Sequence, residues 1–99
     1  MRVIAWKRLR LFAEHHPRAL KPLKLWARAM EAATFETPAH VKRAFGTSVS
    51  FLSNGIVIFD LGGNKYRVSV NIRYHLGRVY VRRVMTHDEY DRLSRSGDL

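Results

Sequence analysis

Two short stretches of the chain hold residues whose types and spacing could do chemistry together. From Lys65 to Tyr74 the apolar residues Tyr66, Val68, Val70, Ile72 and Tyr74 alternate with Lys65, Arg67, Ser69, Asn71 and Arg73. Alternation of period two puts the second set on one side of a β-strand. If the next strand pairs conventionally, Tyr80 and Arg82 join that side. Cations there suit backbone phosphates, and a tyrosine ring can stack on a base, so the surface reads as a place for RNA. The plainer reading is a solvated outer sheet face.

The second stretch is Thr86-His87-Asp88-Glu89. It has the form of a capping box, with Thr86 as N-cap and Glu89 reaching back to it. His87 then sits in a first helical turn, where free N–H groups and the dipole favour an anion. Tyr90 follows three residues on and can share a side of that helix with His87. Imidazole exchanges protons near neutral pH, and a tyrosine hydroxyl can donate or orient. The same spacing also serves structure alone, with Met85 and Tyr90 as a hydrophobic staple.

Other candidates carry less. His15 and His16 are adjacent, so their rings diverge on a helix, and the chain has no cysteine to complete a metal site. No metal or cofactor is expected. Gly62-Gly63-Asn64 lacks a phosphate-loop pattern and reads as a turn. No serine has an evident histidine and aspartate arrangement. Trp6 and Trp26 read as core or interface anchors.

The elements that must position these residues follow from periodicity. Met1 to Ile4 is a short strand or a frayed end. Leu9, Phe12 and Ala13 mark one face of a helix from Lys7 to about His15, which Pro17 ends. Leu23, Trp26, Ala27, Met30 and Ala33 form the buried stripe of a helix from Arg18 to Ala33. Thr37-Pro38 caps a third, with Val41, Ala44 and Phe45 inward and Gly46 as its stop. Asn54-Gly55 joins Phe51-Leu52 to the run Ile56 to Phe59 as a hairpin. A strand from Arg78 to Met85 and a helix from His87 to about Ser94 complete the chain. The order implies a single α+β domain over residues 1–99, its N-terminal helices and C-terminal helix packed on one face of a small antiparallel sheet.

Composition bounds the function. Ninety-nine residues make one modest core. Lys plus Arg number 18 against 8 Asp plus Glu, a net charge of +10. So basic a small domain calls for a polyanionic partner. The absence of cysteine fits a reducing compartment, no apolar run reaches the ~20 residues of a membrane helix, and a cytoplasmic protein is expected.

Larger blocks carry a resemblance. Phe59 to Val68 with Asn71-Ile72-Arg73-Tyr74, and Val81 to Asp91, resemble the HigB family of bacterial toxins. So do Met1 to Ile4 with Trp6, and Thr37 to Lys42. The family is RelE/ParE-like. The resemblance implies an α+β ribonuclease that cuts messenger RNA at the ribosome through the RNA 2′-hydroxyl. It implies a HigA-type helix-turn-helix antitoxin as partner, and operator DNA bound only through that complex. Carried onto this chain, it implies Arg67 and Arg82 at the phosphate, His87 in proton transfer, and Tyr90 orienting RNA or assisting the acid. Asn64, Lys65, Asn71 and Arg73 would hold the strand, and Tyr80, read from the polar sheet face, is expected to bind RNA beside them. Two other functions fit the charge and fold: a non-catalytic RNA- or DNA-binding module, and a ParE-like toxin acting on a topoisomerase.

Overall fold

The computed structural model describes residues 1–99. Strand β1 (Arg2–Ile4) leads into α1 (Trp6–His15). Pro17 then opens a single 3-10 turn, Pro17–Ala19, so α2 (Leu20–Ala32) begins two residues later than the hydrophobic spacing suggests. Its stripe Leu23, Trp26, Ala27 and Met30 is buried as expected. Helix α3 (Pro38–Phe45) starts at Thr37, whose side chain accepts from the His40 N–H at 3.4 Å, and stops at Gly46 with φ 59°.

The rest of the chain is sheet until its last helix. β2 (Val49–Phe51) and β3 (Val57–Leu61) pair antiparallel around Asn54-Gly55, where Gly55 takes the left-handed φ of 85°. β3 and β4 (Tyr66–Arg73) pair across Gly62-Gly63-Asn64, three consecutive residues with positive φ. β4 and β5 (Arg78–Thr86) form the longest ladder. The start of the chain is a strand rather than a frayed end. It joins β5 in parallel, with Arg2 beside Arg78 and Ile4 beside Tyr80. The order is therefore β1-β5-β4-β3-β2, a mixed sheet with one parallel pair where an antiparallel one was expected. Helices α1 to α3 carry the chain from β1 across to the far edge at β2, and the antiparallel run β2-β3-β4-β5 returns it beside β1, which supplies the long connection that a parallel pair requires.

One face of the sheet presents Val3, Val57, Phe59, Val68, Val70, Val79 and Val81 to Leu9, Leu23, Trp26, Met30 and Val41 of the first three helices. Phe59 is at its centre, with ring centroids 5.5 Å from Trp26 and 4.8 Å from Phe45. Trp26 is thus a core anchor, while Trp6 is exposed. The expectation that all helices share this face is corrected by α4 (His87–Ser96), which contacts Arg67 from the other side. The reason is local: β4 alternates, so Arg67 and Val68 face opposite ways, and the helix following β5 has half-buried Tyr90 and Leu93 to cover. Ile58, Ser69 and Met85 are buried on this second side along with Arg67.

Candidate active site

The start of α4 is held by three backbone restraints. The Thr86 side chain accepts from the Glu89 N–H at 3.2 Å, and Glu89 accepts from the Thr86 N–H at 3.1 Å, so both halves of the capping box form. The His87 N–H donates to the Lys65 carbonyl at 2.9 Å, which docks the helix start against the beginning of β4. His87 and Tyr90 are thereby brought over Arg67.

Arg67 is the centre of the constellation and is only 9% exposed. Its Nη1 lies 3.1 Å from Asp60 Oδ1, directly across the β3–β4 ladder. Its Nη2 lies 3.3 Å from His87 Nδ1. Its guanidinium carbon is 4.9 Å from the centre of the Tyr90 ring, a cation–π contact. On its other nitrogen His87 meets Asp91, with Nε2 to Oδ2 at 3.1 Å. These partners fix the neutral tautomer. Arginine has only donors to offer, so Nδ1 must present its lone pair to Arg67, and the ring proton sits on Nε2 facing Asp91. The arrangement is a half-exposed imidazole with one nitrogen anchored by a carboxylate and the other beside a fixed positive charge. Asp91 on Nε2 favours a positive charge on the ring, and the Arg67 guanidinium beside Nδ1 opposes it.

Of the residues picked out from sequence, Arg67, His87 and Tyr90 come together here. Lys65 is next to them through its carbonyl, and both it and Asn64 are exposed in the turn leading into β4. Arg82 stands differently. The β4–β5 ladder shifts register between Ser69 and Val70: Val81 pairs with Val70 and Arg83 with Ser69, leaving Arg82 as the extra residue. Its carbonyl accepts from Arg8 of α1 at 2.8 Å, and it lines a groove between α1 and α4 with Arg8, Phe12 and Leu93. Asn71 and Tyr80 face each other farther along the ladder, and Arg73 pairs with Arg78 at its far end. These three do not touch the Arg67 constellation.

Sequence reasoning missed Asp60 and Asp91. Asp91 was legible as the i+4 partner of His87 on a helix. Asp60 needed the strand register, which alternation alone does not specify. The weaker candidates also resolve locally. His15 Nδ1 lies 3.0 Å from the Leu11 carbonyl of its own helix, and His16 stacks on Phe12 at 4.4 Å. No three side chains of the His, Cys, Asp and Glu type converge on one point. Tyr74 is removed from this group, and partial burial pushes its hydroxyl pKa up.

Comparison with known proteins adds a second line of observation. Residues 19–93 match the model of a family described as HigB toxin, the RelE-like toxic component of a toxin–antitoxin system. The chain is similar to the mRNA interferase toxin HigB of Escherichia coli K12, at 30% identity over 92 residues, covering 92% of this chain and 88% of the relative. It is also similar to the mRNA interferase HigB of Escherichia coli O6:H1, at 31% identity over 84 residues, covering 84% and 82% of the two chains.

Proposed function

The chain belongs to the HigB family of RelE-like toxins, and from that premise we propose that it is an mRNA-cleaving toxin that cuts on the ribosome through the RNA's own 2′-hydroxyl. The observation that carries the chemistry is the contact of His87 Nδ1 with Arg67, backed by Asp91 on Nε2.

In this reading the phosphate enters beside Arg67 and takes over the Nη2 donor that His87 Nδ1 now accepts from. The freed Nδ1 lone pair removes the 2′-hydroxyl proton. The 2′-oxygen attacks the adjacent phosphorus, the bond from phosphorus to the 5′-oxygen breaks, and the imidazolium returns its proton to that leaving oxygen. The products are a 2′,3′-cyclic phosphate and a 5′-hydroxyl. Arg67 carries the positive charge facing the phosphate as it becomes more negative, Asp91 holds the imidazolium, and Tyr90 orients the RNA. Asn64 and Lys65 hold the strand on the turn side. Arg82 and Arg83 both line the α1–α4 groove, and Arg83 also stands opposite Ser69 on the sheet face, so the two together supply further positive charge for the phosphate.

The partners we propose are a HigA-type helix-turn-helix antitoxin, the ribosome with its message, and operator DNA only through the antitoxin complex. The compartment is the cytoplasm. No helix is long and apolar enough to cross a membrane.

The test is induced expression in a bacterial host without antitoxin, with primer extension on a cellular transcript. Translation arrest with discrete cuts inside translated codons, abolished by His87→Ala and by Arg67→Ala, is the expected result. Arrest without cuts moves the target elsewhere, as for a topoisomerase poison. Folded protein without arrest leaves a binding module.

A further inference from the structure

The end of the sheet away from α4 holds an arrangement that the cleavage chemistry does not use. In the parallel β1–β5 ladder Arg2 sits directly beside Arg78, and in the antiparallel β4–β5 ladder Arg78 sits directly beside Arg73. Three arginines therefore form one row across three neighbouring strands, about 4.8 Å from strand to strand. All three are exposed. None has an acidic partner, because the chain's two ion pairs are Arg67–Asp60 and His87–Asp91. Directly opposed like charges destabilise a sheet, so the row has no structural benefit to explain it.

Direction matters as much as charge. Arg73 and Arg67 are six residues apart on β4 and so share a face. Tyr80 is opposite Asn71 on that same face, and its hydroxyl accepts from Arg78 Nη1 at 3.3 Å, which ties one guanidinium of the row to the ring. The face that carries Arg67 thus continues over exposed Arg83, which stands opposite buried Ser69, then half-buried Asn71 and Tyr80, to the arginine row. This stretch is about 20 Å long at about 3.3 Å per strand residue.

We propose that the Arg2–Arg78–Arg73 row is a second phosphodiester-binding site, which grips the substrate RNA strand several nucleotides from the bond that is cut. The inference rests on the RNA-cleaving reading of the Arg67 site and adds to it where the strand leaves that site. Planar arginine forks suit phosphate oxygens, Tyr80 offers a face to an intervening base, and occupancy by phosphates relieves the repulsion within the row.

The probe is 2′-O-methyl RNA, which cannot be cut, as a trinucleotide and as a dodecanucleotide, bound to the full chain over a range of salt. Wild type should bind the longer RNA more tightly and with the steeper salt dependence. Arg2→Gln/Arg78→Gln should lower the slope of log K against log salt for the longer RNA by about 1.4, at about 0.7 per single-strand phosphate contact. It should narrow the affinity ratio between the two lengths, while its melting temperature equals or exceeds that of wild type. An unchanged slope overturns the proposal. So does retention of the slope with loss of ribosome co-sedimentation, which would assign the row to the ribosome. Failure of the cleavage reading shows separately in the primer-extension assay: wild type then makes no cuts, or Arg67→Ala and His87→Ala leave them unaltered.

Discussion

Arg67 engages Asp60, His87 and Tyr90 with one planar group, which a lysine cannot do because it carries a point charge on a flexible stem. Arg67→Lys should lower RNA cleavage by about 10² or more, measured on translated message in a reconstituted system. Asp60→Asn leaves a largely buried guanidinium without its counter-charge. Breaking a fully buried pair costs about 3–5 kcal/mol. Asp60 is one-fifth exposed, so solvent screening reduces the expected loss to about 1–2 kcal/mol, read from urea unfolding. The His87–Asp91 pair is about half exposed on both sides, and Asp91→Asn should move stability by less than about 0.5 kcal/mol. The same change should reduce cleavage about tenfold or more, because the imidazole loses the group that sets its tautomer. An Asp91→Asn variant with full activity would show that His87 needs no anchor.

At the scale of elements, the last helix is a lever with a defined fulcrum. Both halves of the capping box and the bond from the His87 N–H to the Lys65 carbonyl fix its first turn. Thr86→Ala should cost about 1 kcal/mol and should lower cleavage as well, since His87 and Tyr90 ride on that turn; thermal unfolding and the cleavage assay read the two effects. The capping box was legible in four letters because its hydrogen bonds are local. The bulge opposite Ser69 was not. An unbroken alternation from Val79 to Arg82 predicts Arg82 on the face of Arg67, but one extra residue passes the direct pairing with Ser69 to Arg83. Register of this kind is a property of two strands, and the sequence of one cannot state it.

For the molecule as a whole, a single core and a net charge of +10 pull in opposite directions. Phe59 is fully buried between Trp26 and Phe45. Phe59→Ala should cost about 3–5 kcal/mol, a large part of the about 5–15 kcal/mol that holds a typical domain together, so growth arrest should weaken although no site residue has changed. Urea unfolding alongside the expression assay checks this.

The sequence by itself determined the helix boundaries set by proline, glycine and Thr37, the hairpin at Asn54-Gly55, the buried stripe of α2, the capped last helix and the excess of positive charge. These depend on contacts within a turn or two, or on composition alone. Only the tertiary structure decided that β1 adds in parallel, that α4 crosses to the second face, and that Arg67 is buried on Asp60 and His87 instead of lying open on a polar sheet. It alone aligned Arg2, Arg78 and Arg73, which lie far apart or across a turn in the chain. The physical reason is the same in each case: strand pairing joins residues of any separation, and which residues meet depends on the energy of the whole sheet and its cover rather than on any local signal.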